Sequence, residues 1–288
     1  MPELPEIALT AEILNARLKN KIIESFEFIT GRFGPGRTKP DGHKKFINSL
    51  PLQIKKVNSK GKFLWFYLVD PENPENYWYI WNTFGLTGAW SFVDDDHDRL
   101  VVTFKDSSII AHYSDMRNFG TFKFSQNQDD LKEKIKTLSP DFLKDENFDI
   151  SKVTKYKQPI VAILMDQKKI GSGIGNYLAA EILYRARISP HRPGNSLTEN
   201  DIANLTYYIK YMVKLCYLDG GTEYMGHLEK YVNRLPRKNY HPDIKILKKD
   251  KKILFSVYQQ DHDPYGNPVK RDKIIKGRTT YWVPALQK

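Results

Sequence analysis

The residues best equipped for chemistry stand at the start of the chain, where Met1 is followed by Pro2 and Glu3. Removal of the initiator methionine, common before a small second residue, would leave Pro2 with a secondary amine, the only one a polypeptide can present. Such an amine attacks an aldehyde carbon to give an iminium that is cationic without a proton, an electron sink for elimination at the neighbouring carbon. Glu3 stands beside it as acid or base, with Glu6 behind as a supporting acid. Met-Pro-Glu is also an ordinary way for a chain to begin. A second cluster, Leu164-Met165-Asp166-Gln167 and then Gly171-Ser172-Gly173-Ile174-Gly175-Asn176-Tyr177, sets a glycine-rich turn between two helical patterns. Backbone N–H groups at a helix start make a phosphate site, while plain helix-hairpin geometry produces the same turn. A dinucleotide fingerprint does not fit, because a helical pattern at 160–165 and no strand precedes the glycines.

Two kinds of structure must position these residues. Ile7, Ala11, Leu14 and Leu18 recur at helical spacing, which predicts a helix over 6–20 with acids in its first turn. From 22 to 124 short β-branched and aromatic runs, among them 63–69, 77–81, 100–104 and 108–113, alternate with Gly- or Asp-rich turns, the texture of an antiparallel sandwich or barrel. A polar stretch, 125–130, marks a boundary. Beyond it helices are expected at 131–138, 158–169, 174–187 and 198–218, the last with Thr198 and Asp201 as cap and first-turn acid. Two strands, 253–258 and 279–283, joined by the turn-rich 261–268, close the chain.

The chain has 288 residues, room for about two domains. Its 45 Lys and Arg against 34 Asp and Glu leave a net charge of +11, and 40% hydrophobic with 13% aromatic content excludes a disordered basic tail. From His227 onward 15 bases face 6 acids, so +9 of the excess lies in the last quarter, interleaved with Tyr231, Tyr240, Tyr258, Tyr265, Tyr281 and Trp282. That asymmetry points to a polyanion, above all nucleic acid. The single cysteine, Cys216, rules out an internal disulfide, and no Cys/His group has zinc spacing. The N-terminus lacks the charge and apolar run of a signal peptide, and no segment approaches about 18 apolar residues, so an intracellular protein without membrane spans is expected.

Taken together, Pro2-Glu3-Leu4-Pro5-Glu6, the region of Asp166-Gln167 and Gly173-Ile174-Gly175-Asn176, and the closing Gly277-Arg278-Thr279-Thr280-Tyr281-Trp282 resemble, in order and over nearly the whole chain, the Fpg/Nei family of bifunctional DNA glycosylases. The resemblance implies that Pro2 is the Schiff-base nucleophile at the sugar C1′ of a damaged nucleotide and Glu3 its acid/base partner. It implies that Lys62, in the Gly61-Lys62 pair, contacts DNA and assists proton transfer, and that Asn176, Lys157, Arg117 and Gly173 contact DNA. Phe84-Gly85-Leu86-Thr87-Gly88 looks like the family's Leu-Gly-Met-Thr/Ser-Gly loop and Asp115-Met116-Arg117-Asn118-Phe119-Gly120 like its Asp-x-Arg-Arg-Phe-Gly loop. Leu86, Arg117 and Phe119 would then fill the void left by a flipped nucleotide. Leu86 replaces a methionine, and Asn118 replaces the second arginine, which weakens that phosphate-facing position.

The last segment departs furthest. Where zinc-finger members read Arg-Ser/Thr-Thr-x-x-Cys-Pro-x-Cys-Gln, this chain has Val283 and Leu286 for the two cysteines, and the earlier pair is absent too. It resembles the zincless-finger, Nei-like (endonuclease VIII-like) members, with Arg278 at the finger tip among the catalytic candidates. The usage of Lys, Asn, Ile and Tyr fits an AT-rich genome such as that of a giant DNA virus. The implied fold is α+β: an N-terminal antiparallel β-sandwich flanked by helices over 1–128, a helical helix–two-turns–helix (H2TH) domain over 129–250, and a zincless β-hairpin finger over 251–288. The implied activity is removal of oxidised bases, mainly pyrimidines, hydantoins and formamidopyrimidines, with AP-lyase β,δ-elimination. Its partner would be damaged double-stranded DNA, with single-stranded DNA as a second form, met by a monomer wherever the DNA is, with no metal or cofactor. Two alternatives stand: an Fpg-type 8-oxopurine glycosylase, and a silent DNA-binding protein of the same fold, which a retained Met1 acylating Pro2 would produce.

Overall fold

The computed structural model describes residues 1–247, 250 and 255–288. Its first unit comprises residues 1–2, 6–136 and 220–236, and its second 3–5, 137–219 and 237–288. The linear division at 128 and 250 puts 220–236 with the helices, whereas the structure groups it with the sheet; residue 251, where the finger was expected to begin, lies outside the described residues.

The first unit is built on strands β1 (Ile22–Phe28), β2 (Leu52–Lys60), β3 (Phe63–Val69), β4 (Tyr77–Thr83), β5 (Ala89–Ser91), β6 (Asp98–Phe104), β7 (Ile110–Ser114) and β8 (Thr121–Ser125). Burial alternates along most of them, as on β6, so each strand turns one face inward. All eight pair antiparallel in one ladder, β5-β7-β6-β1-β2-β3-β4-β8. Register shifts in β1, β2 and β6 bend the ladder, and its two halves pack on each other as the expected sandwich. Phe26 of β1 meets Phe124 of β8 at 5.5 Å and Trp90 of β5 meets Phe66 of β3 at 5.3 Å between ring centres. The Trp90 indole N–H donates to Asn82 Oδ1 at 3.0 Å, so the one polar atom this ring brings inside is paired.

Helix α1 (Leu4–Leu18) begins two residues earlier than its apolar spacing predicts, with Pro5 in its first turn, where a missing N–H costs nothing. Short α2 (His43–Ile47) plugs the sandwich with Phe46, fully buried and stacked on Phe124 at 4.7 Å. Helix α3 (Gln128–Lys136) follows β8. Residues 220–236 return to this unit through Thr222 N–H, which donates to the buried Glu6 carboxylate at 3.0 Å, and through Tyr231, whose ring meets Phe92 at 5.3 Å and carries the Arg17 guanidinium at 5.3 Å. They include the short α7 (Glu229–Val232). None of these pairings leaves a local sequence signal.

In the second unit, α4 (Ile160–Met165), α5 (Asn176–Ala186) and α6 (Glu199–Asp219) fall within the expected helical stretches, α6 running one residue beyond. Thr198 and Asp201 form the reciprocal cap, Thr198 N–H donating to Asp201 Oδ2 at 2.9 Å and Asp201 N–H to Thr198 Oγ1 at 3.2 Å. The hairpin differs from expectation. Strand β10 (Thr280–Trp282) pairs with β9 (Lys270–Asp272), and 255–258 is bend and turn; residues 253 and 254 lie outside the described residues. Strand β9 escapes a sequence reading because Lys270-Arg271-Asp272 is short and wholly charged. The backbone N–H groups of 256–258 turn to a carboxylate, Glu181, in place of a strand partner.

Phe46 also meets Phe26 at 5.3 Å and Trp78 at 5.6 Å edge-on. Phe46→Ala should therefore cost about 3–5 kcal/mol of stability, read by urea unfolding; a loss below about 1 kcal/mol would mean that α2 does not plug the core.

Candidate functional site

The first unit assembles two glycine-flanked loops into one rigid edge. Asp115, buried, accepts from Thr87 Oγ1 at 2.5 Å with one oxygen and from Gly120 N–H at 2.7 Å with the other. Thr87 Oγ1 in turn accepts from Arg117 N–H at 3.0 Å. Loop 84–88 is thereby tied to loop 115–120, and Leu86, Arg117 and Phe119, chosen from the sequence as one group, belong to one structure. They are not equally presented. Phe119 is 51% exposed with the Arg117 guanidinium 5.2 Å over its ring, while Leu86 is half-buried. Met116, passed over in the sequence, is 56% exposed on the same loop. Its signal was its position between Asp115 and Arg117. Lys62 sits in the two-residue turn joining β2 to β3, half-buried, with Lys60 and Phe63 paired across it. Pro2 is buried ahead of α1, as is Glu6 within it.

In the second unit the glycine-rich turn does receive an anion, but from the chain itself. Glu3, 1% exposed, accepts from Gly175 N–H at 2.6 Å, Tyr177 N–H at 2.9 Å and Leu178 N–H at 3.3 Å at the start of α5. The positive end of the helix dipole and three donors form the anion site that the turn promised, with a carboxylate where a phosphate was expected. Gly173 is buried under Leu4: its φ is +112°, a Cβ would lie 2.6 Å from Leu4 Cβ, and its carbonyl accepts from Leu4 N–H at 3.1 Å. The close approach of the N-terminal residues is what requires glycine here. Asn176 Nδ2 donates to Thr279 O at 2.9 Å, so the H2TH asparagine is bonded to the residue beside Arg278, which follows the turn at Gly277. Lys157 is exposed ahead of α4.

Among the described residues no group of three or more His, Cys, Asp or Glu side chains could hold a metal ion. The hairpin is held by burial and hydrogen bonds. Val283 is fully buried, and its N–H donates to Gln287 Oε1 at 2.7 Å while Gln287 Nε2 donates to Ile188 O at 2.9 Å. Asp263 gathers Tyr265 N–H, Asn267 N–H and Tyr184 Oη at 2.8–3.0 Å. Asp272 of β9 joins His191 Nε2 and Trp282 Nε1, each at 2.8 Å. Glu181, buried on α5, takes Ser256, Val257 and Tyr258 N–H at 2.9–3.0 Å. Burial pushes the Glu181 carboxyl up against the pull of these donors. For Asp263 and Asp272 burial also pulls upward, but the hydrogen bonds outweigh it and hold both below the usual carboxylate range. No helix among the described residues is long and apolar enough to cross a membrane.

Three family models match the chain in order: the formamidopyrimidine-DNA glycosylase N-terminal domain over residues 1–122, its H2TH domain over 136–223 and its C-terminal domain over 242–288. A formamidopyrimidine-DNA glycosylase of Prochlorococcus marinus (strain MIT 9301) is 28% identical over all of both chains. That of Streptococcus pneumoniae serotype 4 is 30% identical over 70% of this chain and 72% of its own. The fold is similar to that of Lactococcus lactis Fpg solved with DNA containing an abasic site, with a TM-score of 0.77 and 23% identity over 99% of each chain.

A carboxylate whose folded pKa is depressed stabilises the fold above its unfolded value, about 3.9, and loses that contribution as pH falls through the folded value. The contributions of Asp263 and Asp272 should therefore be lost below about pH 4, with Asp263→Asn and Asp272→Asn each flattening that acid limb in hydrogen exchange around residues 263–272. Glu181→Ala, which strands three backbone donors, should cost on the order of 3 kcal/mol in chemical unfolding of the second unit. An unchanged midpoint would mean that packing alone holds 256–258.

Proposed function

The chain belongs to the Fpg/Nei family of DNA glycosylases, enzymes of base-excision repair that remove damaged bases, and from that premise we propose that it also cleaves the strand at the abasic sugar through a Schiff base on Pro2. The observation that carries this reading is the N-terminal pair: Pro2, the secondary amine, is joined directly to a buried carboxylate fixed by three backbone N–H groups. A nucleophile needs such a neighbour held in one orientation, because a proton moves efficiently only within hydrogen-bond reach.

The damaged nucleotide leaves the stack, since its glycosidic carbon is unreachable inside a duplex. The Pro2 nitrogen, freed of Met1, attacks C1′; the C1′–N bond to the base breaks and the base leaves with a proton. Glu3 assists opening of the deoxyribose ring by proton transfer at the ring oxygen, giving the iminium. Loss of a C2′ proton then expels the 3′ phosphate, and a second elimination expels the 5′ phosphate. Lys62 assists proton transfer and holds phosphate. Asn176, Arg278 and Lys157 grip the backbone, while Arg117 and Phe119, with Leu86, occupy the emptied stack. Exposed Met116 adds to this set the flexible apolar residue that Leu86, half-buried, supplies less well. Formamidopyrimidines are the first lesion to test: they stand in the set weighed from the sequence, and the curated relatives carry that name. Oxidised pyrimidines and hydantoins follow, with 8-oxoguanine as the competing choice, and the protein works as a monomer on damaged duplex DNA.

Borohydride should trap a covalent adduct on formamidopyrimidine and abasic duplexes, insensitive to EDTA. Pro2→Gly, or a variant that retains Met1, should abolish trapping while leaving affinity for an abasic-analogue duplex within about threefold, because binding rests on phosphate contacts elsewhere. Undiminished trapping with Met1 retained, checked by intact mass, would sink the Pro2 assignment. A fully processed chain that binds DNA but never traps would favour the silent DNA-binding alternative.

A further inference from the structure

The first unit carries a basic segment with no part in the scheme above. Between Gly31 and Lys45 stand five bases, Arg32, Arg37, Lys39, Lys44 and Lys45, against one acid, Asp41, although residues 1–226 as a whole carry 30 bases and 28 acids. Arg32, Arg37, Lys44 and Lys45 are exposed, and none of the four has an acid as salt-bridge partner among the described residues.

The segment is built onto the edge that presents Arg117 and Phe119. Arg99 joins the two: its Nε donates to Asp115 O at 2.9 Å and its Nη1 to Thr30 Oγ1 at 2.8 Å. Arg32 N–H donates to Asn118 Oδ1 at 3.4 Å. Gly31 has a φ of +74°, and a Cβ there would lie 2.2 Å from Asn118 Oδ1 and 2.7 Å from Arg99 Cδ, so the two loops touch only because residue 31 is glycine. The Lys39 ammonium closes the loop from within by donating to Phe33 O and Gly34 O. The Arg32 guanidinium lies 4.7 Å over the Phe33 ring, which limits its freedom without using up its donors. An ordinary solvated loop has no reason to be pinned at its start against another exposed loop while its cations stay outside.

We propose that residues 31–45 are a second phosphate-binding segment, in which Arg32 and Arg37 grip the backbone of duplex DNA beside the Arg117–Phe119 loop. This rests on the glycosylase reading. Arg32 is tied through its backbone N–H to Asn118, the residue that stands in place of an arginine, so a guanidinium is carried by the residue bonded to that position. Guanidinium forks suit phosphate oxygens in pairs, which a single amide cannot match.

The test is fluorescence-anisotropy titration of the full chain on duplexes containing a tetrahydrofuran abasic analogue, and on undamaged duplexes, at several salt concentrations. Arg32→Ala/Arg37→Ala should weaken binding to both about tenfold or more at low salt and reduce the slope of log K against log salt by about 2, near 0.9 for each phosphate released. Arg32→Lys/Arg37→Lys should restore most of the slope, a rescue that loss of fold would not permit. A wild-type slope in the alanine variant, or no recovery with lysine, overturns the proposal. A wild-type chain whose binding does not respond to salt would instead overturn the glycosylase reading itself.

Discussion

The bond on which the second unit depends is the one between the Glu3 carboxylate and the start of α5. A buried carboxylate without partners costs several kcal/mol, and here three N–H groups and the helix dipole offset that cost. Two things follow. The N-terminal residues are fixed by the backbone of a helix, which no rotamer change can displace, and Leu4 locks down on Gly173 as a result. The helix N-terminus, commonly a phosphate site, is also spent on the chain's own acid. The Asn176–Thr279 bond brings Asn176 and Arg278 into the same neighbourhood of this unit.

The same device recurs at several irregular segments among the described residues. Glu6 collects Thr222, Asp115 collects Gly120, Asp141 collects Leu143 and Lys144, Glu181 collects 256–258, and Asp263 collects Tyr265 and Asn267. Each carboxylate gathers donors that no strand or helix satisfies. Lys214 is the converse: its buried ammonium, which burial pushes below the usual lysine range, donates to the carbonyls of His241 and Ile244 at 2.9 Å. In the hairpin, where Val283 is buried, hydrogen-bonded acids such as Asp263 and Asp272 brace the turns. A carboxylate brace releases with acid and a metal brace with chelator.

Periodicity made the sandwich and the helices legible, since the alternation of β6 and the Thr198–Asp201 cap are local patterns with local causes. The family motifs singled out Pro2, Glu3, Asn176 and Arg278 as candidates because their order along the chain is itself a pattern. What stayed hidden depends on distance along the sequence. Glu3 is some 170 residues from its donors, and Glu181 some 75 from its own, so nothing near either residue announces that it is an internal brace. Strand β9 is three charged residues whose pairing is decided by Thr280–Trp282. Tyr231 reads as an aromatic in a basic tail until Phe92 and Arg17 are seen against it. The glycine-rich turn was legible as an anion site, but the identity of the anion was not, because that is a tertiary fact.

This use of acids changes what the net charge means. Among the described residues seven acids are buried, Glu3, Glu6, Asp98, Asp115, Asp141, Glu181 and Asp263, against one lysine, Lys214. At long range every charge counts, and the field is that of +11. Within a Debye length, about 10 Å at 0.1 M salt, a phosphate meets the groups at the surface, from which those acids have been withdrawn. The contact surface is accordingly more basic than the composition states. One of the withdrawn acids, Asp115, also sits beneath a loop that carries an exposed arginine, Arg117. There a single carboxylate shapes the loop and, by being inside, leaves the arginine outside to meet an anion that comes from solvent.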